Sequence, residues 1–164
     1  MPAIVHKICN KDEFTRILLF DHVIFNTDRN PGNLLVRFYK KDLSLKLIDH
    51  THVFINQALW DKWCLKRAME ENDLIDTRIL ENNSYLYEMF FRDVSITITK
   101  EIINKEMSVF KNKINSGIIN RIISDIPQEW KPRVDDIEEL VKYIFYRVDN
   151  LETIIVTILK YINR

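Results

Sequence analysis

Glycine is nearly missing from this chain: Gly32 and Gly117 are the only two among 164 residues. Glycine supplies the left-handed and close-approach backbone that tight turns need. Its scarcity therefore favours helices joined by few forced turns. It also excludes a glycine-rich phosphate loop, which needs several residues without side chains close to the phosphates.

The hydrophobic spacing agrees with a helical body. Asn10 reads as an N-cap, with Asp12 and Glu13 in the first turn where carboxylates suit the positive helix end. Phe14, Ile17, Leu18, Val23 and Ile24 recur at helical spacing and predict a helix from about residue 11 to 25. It stops at Asn26-Thr27-Asp28-Arg29-Asn30-Pro31-Gly32, a stretch dense in loop formers. Leu34 to Phe38 and Leu45 to Ile48 are short and apolar, and the polar turn Lys40-Lys41-Asp42 joins them as a β-hairpin.

After about residue 58 the pattern is helical throughout. Trp60, Trp63, Cys64 and Ala68 share one predicted face; Tyr85, Met89 and Phe90 open a second helix, and Ile102, Ile103, Met107 and Phe110 a third. Ile118 to Ile123 form a short apolar segment ending before Pro127, and Asp135-Asp136 starts one long final helix through Leu159. The expected fold class is mainly α with one small hairpin. Residues 1–164 read as a single domain, with loop and hairpin at 26–54 and a helical body at 58–164.

Composition narrows the function classes. Apolar residues make up 46% and charged residues 29%, which argues against disorder. Basic and acidic residues both number 24, so the balance does not indicate a nucleic-acid partner. Cys9 and Cys64 have no zinc spacing and read as free thiols of a reducing compartment. No apolar run approaches the roughly 20 residues of a bilayer span, so the expectation is a cytoplasmic protein without a membrane partner.

The chemistry-bearing stretch is Asn26 to Phe54. Asp28 and Asn33 stand as D-x-x-x-x-N in a loop, and Asp49 ends the second strand of the hairpin. Phosphoryl transfer needs a carboxylate to orient or deprotonate the attacking hydroxyl and hard oxygen ligands to hold magnesium against the phosphates. The loop residues together with Asp49 supply that set if the hairpin folds Asp49 back over the loop.

Phe20-Asp21-His22-Val23-Ile24-Phe25-Asn26-Thr27-Asp28-Arg29, then Asn33-Leu34-Leu35-Val36 and Leu47-Ile48-Asp49-His50, resembles the catalytic region of HipA-like kinases. It is also similar to the related phosphatidylinositol kinases, whose loops read N-x-D-R-x-x-x-N before a downstream I-D. A weaker likeness covers Ile126-Pro127-Gln128-Glu129-Trp130 and the helix carrying Arg147 and Leu151. The resemblance implies the C-terminal lobe of a protein-kinase-like fold. Asp28 would be the catalytic base, Asn33 and Asp49 the magnesium ligands, and Asn26, Arg29 and His50 supporting residues. It implies ATP and Mg2+ as cofactors, with a protein substrate.

In that family a strand-rich lobe precedes the loop and provides a phosphate-covering turn and a lysine. Here 27 residues precede Asp28, without glycine and with Lys7 and Lys11 as the only lysines. The expectation is a catalytic lobe without its N-terminal lobe, inactive alone because ATP has a floor and no roof, the missing lobe coming from another chain or from a longer parent protein. Its partner would be a complementing lobe or, in a bacterial toxin-type system, an antitoxin-type protein. An alternative is a pseudokinase-like interaction module in which the loop is a relic. A third reading is a metal-dependent phosphohydrolase using Asp28, Asp49, His50 and His52. Read singly, Arg29 braces the loop against a carboxylate, Asn26 closes the helix end, His22 packs, and Trp60, Trp63 and Trp130 serve as core aromatics.

Overall fold

The computed structural model describes residues 12–39, 42–93 and 100–162. Asn10, Lys7, Lys11, Cys9 and most of the Lys40-Lys41-Asp42 turn lie outside the described residues. The first helix, α1 (Asp12–Val23), buries Phe14, Ile17, Leu18, Leu19 and Val23 together with Thr15, Asp21 and His22. A helix enclosed on nearly every side belongs at the centre of a domain. α1 is that central rod, and the loop of interest grows directly from its C-terminal end.

The hairpin pairs β1 (Leu34–Tyr39) with β2 (Asp42–Leu47) antiparallel, Leu34 opposite Leu47, Val36 opposite Leu45 and Phe38 opposite Leu43. Leu43 and Leu45 are buried, and Leu34, Val36 and Leu47 pack against the same core, while Leu35 and Phe38 are exposed. A lone hairpin is marginal in water. This one is held by that packed face and by the loop at its base.

Six longer helices and one short one complete the described body: α2 (Lys62–Glu70), the short α3 (Arg78–Asn82), α4 (Ser84–Asp93), α5 (Lys100–Lys113), α6 (Ser116–Asp125), α7 (Val134–Asp149) and α8 (Leu151–Ile162). α5, α7 and α8 pack around α1, and α2 lies along α7. The main core joins α1, the hairpin, α4, α5, α7 and α8 through Leu86, Phe90, Ile103, Val148, Leu151, Ile154 and Ile158. A smaller cluster of Leu65, Ala68 and Tyr143 seals α2 onto α7. Among the described residues no helix is long and apolar enough to cross a membrane.

Three expectations from the sequence are corrected. The final helix is two, because Asn150 interrupts it. Its side-chain amide turns back to donate to the Tyr146 carbonyl at 2.8 Å, so local side-chain bonding ends α7 before α8 begins. The inward face of α2 is Leu65 and Ala68, and Trp63 is 63% exposed. Trp130 likewise stands out at 78% exposure and Tyr85 at 75%. Trp60 precedes the helix and alone of these aromatics packs, edge-on against Phe54 at 5.7 Å.

Candidate functional site

The loop is built outward from Asp21. Its carboxylate is fully enclosed and accepts from Arg29 Nη2 at 2.9 Å, Arg29 Nε at 3.1 Å, Asn26 Nδ2 at 3.0 Å and the Tyr87 hydroxyl at 3.0 Å. Burial pushes the Asp21 carboxyl up, against the opposing pull of Arg29. A buried charge of this kind persists only where its partners satisfy it. Arg29 has capacity left over: Nη1 donates to the Ile48 carbonyl at 3.0 Å and the Asn33 carbonyl at 3.3 Å. One guanidinium thus binds the end of α1, the loop and the last residue before Asp49.

A second clamp comes from far along the chain. Asn83, which ends α3 and is 1% exposed, accepts from the Arg29 amide at 2.7 Å and donates to the Asn26 carbonyl at 2.8 Å. A third holds the helix exit. Phe25 has φ of 50°, a left-handed backbone uncommon for an aromatic residue. Its ring lies under the guanidiniums of Arg147 at 5.1 Å and Arg78 at 5.4 Å, and Arg147 Nε donates to the His22 carbonyl at 2.7 Å. Strain of this kind survives only where the surroundings over-determine it.

On this frame Asn33 directs its amide inward. Nδ2 donates to the Asp28 main-chain carbonyl at 2.7 Å, which leaves Oδ1 as the free end of the amide. The Asn33 carbonyl accepts from the Ile48 amide at 3.1 Å, so the base of the hairpin is stitched to the loop one residue before Asp49. Asp49 has φ of 54°, a conformation that aspartate tolerates better than most residues. Its Oδ1 accepts from the Thr51 hydroxyl at 2.7 Å and amide at 3.2 Å, which hold the carboxyl below its ordinary range and leave Oδ2 uncommitted. The Asp28 carboxylate is 45% exposed and faces His52 at 3.8 Å. The Asp28–Asn33 loop and the Ile48–Asp49 strand end are therefore held side by side.

The predicted site residues sort as follows. Asn26 closes the helix end, its amide N–H donating to the Asp21 carbonyl at 2.7 Å, and its Oδ1 accepts from the Asp28 amide at 3.1 Å. Arg29 braces the loop against a carboxylate, that of Asp21. His50 sits edge-on to Phe20 with ring centroids 5.5 Å apart, and its Nε2 is enclosed without a partner. Burial pushes the imidazole down. His52 points to Asp28 instead, so the H-x-H pair splits. No group of three or more His, Cys, Asp or Glu that could hold a metal ion occurs among the described residues.

Asp21, Asn83, Tyr87 and Arg147 carry the loop and received no role from the sequence. Asp21 did leave a trace, as a carboxylate inside the apolar run Ile17 to Phe25. Arg147 is another charge on a buried face, four residues after Tyr143. Asn83 and Tyr87 leave none, because their partners lie 54 to 66 positions away.

No family model matches this sequence, and comparison with curated proteins and with solved structures returned no match. The fold and site thus define a mainly helical domain whose hairpin braces an Asp/Asn loop.

Proposed function

We propose that this chain is the catalytic-loop lobe of a HipA-like, kinase-like phosphotransferase. The observation that carries the reading is the Asn33 amide, bonded through Nδ2 to the Asp28 carbonyl with Oδ1 left over, beside the Arg29 tie to the residue before Asp49. On this reading Asn33 Oδ1 and Asp49 Oδ2 are the two hard oxygen donors and the half-exposed Asp28 carboxylate the base, the division of labour phosphoryl transfer needs. Asp28 accepts the proton of the attacking hydroxyl. Asn33 and Asp49 hold magnesium, which when bound offsets the charge on the phosphates of ATP. Arg29 and Asn83 keep the base and the ligands at fixed separation, which is where much of the rate of such reactions arises.

The chain has too few glycines for a phosphate-covering loop, so this reading assigns the cover over ATP to a further lobe. The exposed Phe38 at the tip end of the hairpin supplies an apolar contact for it. The test is a titration of ATP in the presence of magnesium, repeated with Asp49→Ala. Magnesium-dependent binding that disappears in the variant supports the site. Binding that survives the substitution overturns it.

A further inference from the structure

α6 is ten residues long and none of them is buried, whereas α1, α2, α4, α5, α7 and α8 each place side chains in a core. Its start is capped, Asn115 Oδ1 accepting from the Ile118 amide at 3.1 Å. A cap alone does not hold so short a helix. Helices below about 12–15 residues are marginal in water, and packing of an apolar face supplies most of their stability in proteins.

Such a face is present on α6 and stands open. At about 100° per residue, Ile118, Ile119, Ile122 and Ile123 fall within an arc of about 140°. None of the four packs on either hydrophobic core, and Ile122 is 55% exposed. Beyond the helix end, Trp130 and Val134 are exposed as well.

The order of the residues indicates what covers this face. The isoleucine pairs 118–119 and 122–123 read the same in either direction about the point between Asn120 and Arg121. A face with that symmetry is its own complement when a second copy runs antiparallel across it. Ile118 then meets Ile123 of the partner subunit, and Ile119 meets Ile122 of the partner subunit. Charge agrees with this direction. The chain enters α6 from Lys113 and leaves it at Asp125 and Glu129, all three exposed and without an ion pair among the described residues. Antiparallel pairing sets the basic entry of one copy beside the acidic exit of the other, at both ends. It also brings Asp125 to the positive end of the opposing helix. A lipid surface fits less well, because the polar side of α6, Asn120, Arg121 and Ser124, carries a single positive charge.

We infer that α6 pairs with α6 of a second copy of this chain, antiparallel about a two-fold axis, with the four isoleucines of each helix forming the seam. This pairing does not depend on the phosphotransferase reading.

Sedimentation equilibrium of the full chain, from micromolar to submillimolar protein and without nucleotide or magnesium, tests the pairing. The expected mass rises from 19.7 kDa toward twice that value as concentration increases. Ile122→Lys, at an exposed position, keeps the helical circular dichroism of the native chain and stays monomeric throughout. Asp125→Lys and Lys113→Glu each weaken association at least threefold. The two together associate more tightly than either alone, because the swap restores opposite charges across the seam. A native chain that is monomeric at every concentration, with or without binding to phosphatidylcholine vesicles, overturns the inference. So does a dimer that survives Ile122→Lys, or a double variant no tighter than the single ones.

Discussion

Arg29 shows how much a single side chain can decide here. It neutralises Asp21, with both side chains out of contact with water, and bonds two carbonyls from different segments. Arg29→Met leaves the Asp21 carboxylate buried and unpaired, a loss of about 3–5 kcal/mol measured by urea unfolding. Asn83→Ala orphans the Arg29 amide and the Asn26 carbonyl and costs roughly 2–4 kcal/mol. On the phosphotransferase reading both variants also lower magnesium affinity, since the loop carrying Asn33 loses its anchor. His22 gives a pH signature. Its Nδ1 bonds the Leu18 carbonyl at 2.7 Å, its Nε2 is enclosed, and burial with Arg147 nearby pushes the imidazole down to about 3. The unfolded chain therefore takes up a proton near pH 6.5 that the folded chain refuses until about pH 3. This contribution to stability is complete above pH 6.5 and is lost as pH falls toward 3. The stability difference between the native chain and His22→Gln, followed by urea unfolding from pH 7.5 to 4, shrinks by a few kcal/mol in favour of the variant.

At the scale of elements, α2 separates what periodicity reveals from what it conceals. The helix was legible from its apolar spacing; in the structure Asp61 caps its start, accepting from the Cys64 amide at 2.8 Å. Its inward face was not, because tryptophan reads as core on size alone while the docking surface on α7 is some seventy residues away. The bonds that orient α2, from Lys62 to Asp135 and Asp136, point Leu65 and Ala68 inward and leave Trp63 outside. Leu65→Ala is expected to cost about 2–5 kcal/mol through the cavity it leaves. Trp63→Ala stays within about 1 kcal/mol. Thermal unfolding of the two variants compares them directly, and equal losses would return Trp63 to the core. The hairpin was legible for the opposite reason: its signal is local, two short apolar runs on either side of a polar turn.

For the whole molecule, the class was readable and the internal wiring was not. Glycine scarcity and the apolar spacing pointed to a helical body carrying one hairpin, which is the architecture found. Asp28, Asn33 and Asp49 were proposed from spacing along the chain and from the chemistry of their side chains. The groups that hold them, Asn83, Tyr87 and Arg147, come from three helical segments that only folding brings to the end of α1. On the phosphotransferase reading the loop and the hairpin end meet at one cation. Manganese, a magnesium substitute with unpaired electrons, tests this most directly by the nuclear resonances it broadens. The prediction is that low concentrations broaden the Asn33 side-chain amide and the main-chain amides of Asp28, Asp49 and His50 first, and that Asp49→Asn abolishes the effect. Broadening that begins elsewhere, or that persists unchanged in Asp49→Asn, would contradict it.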